Sequence, residues 1–304
     1  MRSKLKVWIE AARLRTLPLS ISGILVGNGV AFVHGHFSIL IFVLSLFTTI
    51  AFQVLSNLAN DYGDGVKGTD NDNRIGPARA LQQGLLSRGE LKRGLIIGVF
   101  ICLALTLALI SASINLGDWQ LWIFFLILGG ASITAAITYT VGKRAYGYFA
   151  LGDLFVFLFF GLVSVMGSYF LQTKQLNISL LYPAISVGCF STAVLNLNNM
   201  RDRTSDRLSK KITLPVLLGI TNAKRYHFVL IFVGFLSSIA FVHGEAYAIE
   251  GYFFLLLLVP FIKHLTTIRK ITNLAHFDKE LKKVALSTFF FSLAFIIGII
   301  QSTL

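Results

Sequence analysis

Nine apolar runs divide the chain, at about 17–33, 38–60, 94–114, 120–141, 149–171, 179–200, 226–243, 249–268 and 284–303. Each is near the length of roughly 20 residues that an α-helix needs to cross a bilayer core. The pattern predicts an all-α membrane protein of nine transmembrane helices. Ahead of the first run, Met1 to Arg15 carries five basic residues and one acid. It reads as a short surface helix with Trp8 as an interface anchor, and it lacks a signal-cleavage pattern. The polar segments between runs are lopsided. With the N-terminus in the cytoplasm, 26 of the 27 Lys and Arg residues fall in cytoplasmic segments, and only Lys174 lies outside. Such a bias predicts an N-inside, C-outside chain.

Composition sharpens this picture. The chain is 55% hydrophobic and 13% charged, with a mean hydropathy of +0.74, which excludes an ordinary soluble domain. The net charge of +13 then reflects orientation in the bilayer, and no nucleic-acid partner is implied. Cys102 and Cys189 lie inside apolar runs and read as packing residues. The histidines lack HExxH-like spacing and are not expected to ligate metal.

Polar residues at the ends of two runs carry the chemistry. Asn57, Asn60, Asp61 and Asp64 fall at i, i+3, i+4 and i+7, one stripe of a helix. The stretch Asn198-Asn-Met-Arg-Asp-Arg-Thr-Ser-Asp206 repeats the arrangement at the end of the sixth run. Like charges on one helical face repel, so something must compensate. A hard divalent cation is the natural candidate, and Mg²⁺ typically bridges a few carboxylates to phosphates. Basic residues around both motifs suit a diphosphate: Lys67, Arg74 and Arg79 after the first; Arg201, Arg203, Arg207, Lys210 and Lys211 around the second. Lys143 and Arg144 follow Tyr139 in a short loop on the same side, and Arg13 and Arg15 precede the first run. Asn57, Asn196 and Asn198 lie a turn or two above the acids, whereas Asn28 reads as an interhelical hydrogen bonder. The Phe-rich run 154–160 reads as packing or lipid-facing surface, or as the wall of a hydrocarbon groove whose rings would suit a carbocation.

The four-run offset between motifs suggests a pseudo-repeat: residues 1–145 with the first motif, 146–270 with the second, and a last helix at 271–304, in one polytopic domain. Each motif is followed by a basic residue, a short apolar stretch with Pro and Gly, and Ser or Thr. These stretches read as amphipathic helices forming a lid. The runs themselves show no conspicuous interruption, which counts against a secondary transporter, the alternative of a different class.

The paired motifs, Asn60-Asp-x-x-Asp64 with Asp70 and Asn199-x-Arg-Asp202-x-x-x-Asp206, resemble those of the UbiA superfamily of intramembrane prenyltransferases. Arg13-Leu-Arg-Thr-Leu-Pro18, the stretch Asp61–Asp70 leading to Arg74-Ile-Gly-Pro77, and Tyr139–Tyr148 leading to Leu151-Gly-Asp153 are similar to its 1,4-dihydroxy-2-naphthoate polyprenyltransferase branch. The resemblance covers nearly the whole chain. It implies nine helices around a central cavity with a lateral opening to membrane lipid, in the bacterial cytoplasmic (inner) membrane, the mouth facing the cytoplasm. It implies transfer of a chain from polyprenyl diphosphate to 1,4-dihydroxy-2-naphthoate, with loss of CO2 and diphosphate, giving demethylmenaquinol. Asp64, Asp70, Asp202 and Asp206 would hold Mg²⁺, with Asp64, Asp202 and Asp206 central to catalysis. Asn57, Asn60, Lys67, Asp70, Arg74, Tyr139, Lys143, Arg144, Asn199, Arg201 and Arg15 would meet substrate. Asp70 and Asp206 could instead pair with Lys143 or Arg144. The acceptor could also be 4-hydroxybenzoate, a haem or a glycerol phosphate. The chain departs from the branch pattern at Lys210, where Gly is usual, at Leu217, where Arg is usual, and at Phe149-Ala150, where a polar residue and Gly are usual.

Overall fold

A computed structural model describes residues 3–69, 75–77 and 79–304, without the Arg15 side chain. The regular elements are α1 (Lys4–Ala12), α2 (Leu17–Val33), α3 (Ile39–Val66), α4 (Arg88–Ser113), α5 (Trp119–Thr138), α6 (Gly152–Thr173), α7 (Ile178–Leu208), α8 (Leu214–Gly244), α9 (Ile249–Lys270) and α10 (Leu274–Gln301). Among the described residues, the eight helices α3–α10 are long and apolar enough to cross a bilayer. The remaining apolar run, α2, is 17 residues long and continues from the surface helix α1 across a 51° bend. Each expected run is helical.

The helices overrun the apolar runs at the polar, motif-bearing end. The α3 helix continues to Val66 and α7 to Leu208, so both acidic stripes remain helical past the apolar residues. Each then ends in the same way. At the end of α3 the Thr69 N–H donates to the Asp64 carbonyl at 3.0 Å, and Gly68 takes φ +72°. At the end of α7 the Lys211 N–H donates to the Asp206 carbonyl at 2.8 Å, and Lys210 takes φ +56°. These are Schellman caps, in which a left-handed residue lets the chain turn back and satisfy the last carbonyls. Asp64 and Asp206 therefore hold equivalent places in the last turns of their helices.

Two of the departures from the branch pattern acquire a physical meaning here. Lys210 and Ala150 both stand at φ +56°, a conformation that glycine adopts without a Cβ clash. They flank the pairing of Phe149 with Ile212, a parallel bridge in which the Ala150 N–H donates to the Ile212 carbonyl at 2.8 Å. The third departure, Leu217, is an exposed side chain.

Two expectations are corrected. Residues 75–77 and 79–87 form turns with no helix, ending in a capping box between Ser87 and Glu90 that starts α4. Only the second stretch is helical, as the first turns of α8, broken at Gly219 with φ 73° and ψ 166°. The runs are also less regular than their hydropathy suggests. The α6 helix contains a π-helical segment, Phe157–Gly167, and α9 opens with the 3-10 segment Ile249–Leu257. Hydropathy registers burial, whereas helix pitch depends on local packing.

The α7 helix is buried along most of its length and packs on α6, α8 and α10; α10 also meets α2 and α9, closing the circuit of helices. In lipid such contacts rest on close packing rather than on a difference in hydrophobicity. Between α6 and α7 a Cβ on Gly161 would lie 2.5 Å from the Ala184 carbonyl oxygen, so the two backbones meet directly. In the second half of the chain Phe190, Phe235, Phe254, Phe261, Phe291 and Phe295 form a buried aromatic cluster, with Phe190 and Phe291 centroids 4.8 Å apart. Cys102 and Cys189 are buried free thiols, as expected.

The left-handed cap at Lys210 yields a stability prediction. Lys210→Gly removes a Cβ penalty and adds backbone entropy to the unfolded chain, for a net gain of up to about 1 kcal/mol. Thermal unfolding in detergent checks this: the midpoint rises or holds, and a clear fall contradicts the strain at this position.

Candidate active site

The polar ends of α3 and α7 surround the mouth of a cavity of about 390 Å³. Its walls come from α2, α3, α4, α5, α6 and α7, with Leu281 of α10. It runs from Asp64, Arg79 and Lys211 past Gln53 and Phe159 to Ser45, Leu109 and Phe125. Along α3 that is about 28 Å at 1.5 Å per residue. The wall facing α3 is α6, whose lining residues Phe155, Phe159, Val163, Gly167 and Leu171 recur every fourth position. A regular α-helix would rotate such a repeat off one face. A helix that mixes α and π turns keeps it facing inward. The Phe-rich run is thus divided: Phe155, Phe159 and Phe160 line the cavity, and Phe157 packs into the core against Gly188.

Asp64 is the centre of the mouth. Lys211 Nζ stands 3.3 Å from Oδ2, and Arg79 Nη2 stands 3.6 Å from the same oxygen. The Tyr148 hydroxyl donates to Oδ1 at 2.8 Å. Since that uses the tyrosine's one hydrogen, the Thr69 hydroxyl, 2.6 Å away, is the donor to Tyr148. Lys67 lies 3.9 Å above the Tyr148 ring centroid and Lys211 5.2 Å from it, in cation–π range. Three loops therefore meet at one tyrosine: the cap of α3, the segment before α6, and the segment after α7. The Ile212 N–H donates to the Tyr148 carbonyl at 3.2 Å and holds the last two together.

The charges shape each other. Burial alone would lower the pKa of Lys211, but Asp64 and Asp206 outweigh it and hold the ammonium above the ordinary lysine value. Lys67 moves the other way: partial burial lowers it against the pull of Asp64. Burial, followed by the Asp64 charge, raises Tyr148, so its hydroxyl stays a donor at neutral pH.

The second motif is arranged differently. Arg201 is fully buried and grips Asp202 with two bonds, Nε to Oδ1 at 2.9 Å and Nη2 to Oδ2 at 2.7 Å. Asp202, Asp206 and Asn199 are buried but do not line the cavity, whereas Asn198 does. Asn57 lines the cavity and ties α3 to the α1–α2 bend, its amide donating to the Ala12 carbonyl at 2.8 Å and to Thr16 Oγ1 at 3.2 Å. Asn60 lines it too, accepting from Thr140 Oγ1 at 3.3 Å. Tyr139 faces the cavity edge-on to Tyr146. Lys143 and Arg144 are exposed and are not brought to the cavity wall. Asp70, Arg74 and the Arg15 side chain lie outside the described residues.

The donor chemistry of the mouth, carboxylates and amides, is that of a hard-cation site. The expected compensation of like charges nevertheless comes from the chain itself, from Lys211 and Arg79 at Asp64 and from Arg201 at Asp202. Among the described residues no three His, Cys, Asp or Glu side chains are close enough to share an ion. Tyr148 and Thr69 were not singled out from the sequence. The signal available was the position of Tyr148 within the family-like stretch 139–148.

A model described as the UbiA prenyltransferase family matches residues 20–297. The chain belongs to this family. Over 301 residues it is 42% identical to the 1,4-dihydroxy-2-naphthoate octaprenyltransferase of Escherichia coli (strain K12), covering 99% of this chain and 97% of that protein. Two solved structures share the fold. The apo UbiA homologue of Aeropyrum pernix K1 superposes with a TM-score of 0.68 at 17% identity, over 96% of this chain and 99% of that one. The UbiA homologue of Archaeoglobus fulgidus, bound to DMAPP and Mg²⁺, gives 0.57 at 19%, over 93% and 98%. As a multi-pass UbiA-family protein, the chain has its charged mouth and its long cavity in one continuous space.

Removing the Tyr148 hydroxyl tests this geometry. Tyr148→Phe keeps the ring under both lysines but takes a charge-assisted hydrogen bond from buried Asp64, at a cost of about 1.5–3 kcal/mol. Unfolding in detergent should shift to lower temperature. An unchanged midpoint would count against the bond to Asp64.

Proposed function

We propose that this UbiA-family protein transfers a polyprenyl chain from polyprenyl diphosphate to 1,4-dihydroxy-2-naphthoate, releasing diphosphate and CO2 and forming demethylmenaquinol. The observation that carries the reading is the joining of a cationic mouth to a long, mainly apolar cavity. One molecule with a diphosphate head and a polyprenyl tail matches both parts. The acceptor follows from near full-length similarity to the Escherichia coli enzyme. The basic-residue bias supports a mouth on the cytoplasmic side, in a bacterial inner membrane.

Lys67, Arg79 and Lys211 bind the diphosphate and neutralise charge that grows on the bridging oxygen as the allylic C–O bond breaks. Positioned cations at a developing anion are an efficient form of transition-state stabilisation. The electron pair of that bond leaves with diphosphate. The allylic carbon then forms a bond to the carboxylated ring carbon of the naphthoate. The carboxylate departs as CO2, and the electrons of its C–C bond restore the aromatic ring, so no external redox partner is needed. Tyr139, Tyr146 and Phe155 present ring faces and edges beside the mouth, where a carbocation is attracted to aromatic faces. The apolar walls keep water from quenching it. Mg²⁺, as found in the Archaeoglobus homologue, would be held chiefly by the diphosphate together with one carboxylate of a motif, Asp64 at the first or Asp202 or Asp206 at the second, and would supply Lewis-acid neutralisation of the leaving oxygens.

The test is turnover by purified protein with a polyprenyl diphosphate, Mg²⁺ and each acceptor in turn, products being identified by mass. Prenylation of 1,4-dihydroxy-2-naphthoate is expected, and transfer to 4-hydroxybenzoate alone overturns the acceptor assignment. Asp64→Asn and Asp202→Asn should each lower kcat by about 100-fold or more. Near-wild-type turnover in both would remove the carboxylates from the mechanism.

A further inference from the structure

Arg201 is the largest fully buried side chain among the described residues. Besides gripping Asp202, it reaches the last helix. Its Nη1 donates to Asp278 Oδ1 at 2.5 Å, and its Nη2 donates to Asn198 Oδ1 at 2.8 Å. The two carboxylates differ in setting. The Asp202 side chain is 7% exposed and that of Asp278 is 37% exposed. Asp278 lies in the first turn of the α-helical part of α10, where the helix N-terminus favours an anion. It belongs to neither acidic motif.

We propose that Asp278 is a positioning residue: it receives the Arg201 guanidinium when Asp202 is handed over to a divalent cation accompanying the diphosphate. The inference rests on the reading given under Proposed function and adds a residue to it. Asp202 accepts from Arg201 through both of its oxygens, so a metal ion and the guanidinium compete for the charge of one buried carboxylate. A buried guanidinium left without a carboxylate is strongly destabilising. It would also sit beside a dication. Asp278 removes this obstacle, because one nitrogen already points at it and Asn198 already accepts from another. The guanidinium can leave Asp202 by a small rotation and remain paired. The same exchange at Asp64 needs no added carboxylate, since Lys211 and Arg79 border the cavity and pass directly to the phosphates.

The experiment measures metal binding without turnover. Free Mn²⁺ is followed by electron paramagnetic resonance as it is titrated into detergent-purified protein with inorganic pyrophosphate present. Wild type binds Mn²⁺. Asp278→Asn, which leaves Arg201 with Asp202 as its only carboxylate among the described residues, needs about tenfold more Mn²⁺. Asp278→Glu, which keeps the charge, stays within about twofold of wild type. In turnover assays Asp278→Asn shows a raised Mg²⁺ requirement with kcat recovered at saturating Mg²⁺. Unchanged Mn²⁺ binding in Asp278→Asn overturns the proposal while leaving the prenyl-transfer reading in place. Equal losses in the Asn and Glu variants overturn it as well. Asp278→Ser is carried in parallel with thermal unfolding, and a loss of affinity that merely follows loss of stability across the variants also overturns it. Failure of wild type to bind Mn²⁺ with pyrophosphate removes both this proposal and the metal part of the functional reading.

Discussion

Carboxylates held out of water at the end of a membrane helix must be neutralised, and the architecture of the mouth follows from that requirement. Asp64 sits in the last turn of α3, where the helix dipole disfavours a negative charge. It is buried there among apolar helices. The chain meets the demand with cations from two distant loops, Arg79 and Lys211, and with the Tyr148 hydroxyl. Satisfying one carboxylate thus draws the segments after α3, before α6 and after α7 to a single point. The loops converge beside the cavity at that ion cluster, and the bridge between Phe149 and Ile212 joins two of them. Breaking such a buried pair by removing one partner costs about 3–5 kcal/mol. The same groups therefore hold the three segments together and line the mouth of the cavity.

The two halves of the mouth solve the problem differently. At Asp64 the compensating side chains border the cavity and can follow a ligand. At Asp202 the compensation is a buried arginine anchored behind the wall, with Asp278 at its third nitrogen, Nη1, and Asn198 sharing Nη2 with Asp202. One half keeps its cations at the cavity wall; the other is a buried support that ties α7 to the final helix. This asymmetry arises on helices that terminate in the same Schellman cap, so identical backbones carry unlike chemistry.

Much of this was legible in the sequence. Each apolar run is a helix, because the length and hydropathy of a span leave little choice in lipid. The first stripe borders the cavity through Asn57, Asn60 and Asp64, because a helical period fixes which side chains share a face, whereas the second reaches it only at Asn198, its aspartates lying buried behind the wall. Two things were not legible. The first is pitch: nothing in the composition of 157–167 distinguishes a π turn from an α turn. The second is pairing across long separations. Asp64 with Lys211, and Arg201 with Asp278, join residues from distant parts of the chain, and no local pattern announces either. Lys143 and Arg144 show the converse error of proximity in sequence. Their loop lies beside Tyr139, yet both side chains point to solvent. The departures at Ala150 and Lys210 were visible as substitutions, but only the positive φ at each gives them a physical cost.

The widened turns of α6 bear on how this protein can vary. Its cavity wall is a four-residue repeat kept on one face by the π-helical segment Phe157–Gly167 between two α-helical ends. Adding or deleting one residue in that stretch would rotate every lining side chain beyond it toward lipid or core at once. Single exchanges at Phe159, Val163 or Gly167 change only the local bore. A family member built on this wall can therefore adjust the shape of its channel position by position, while the length of the segment is pinned.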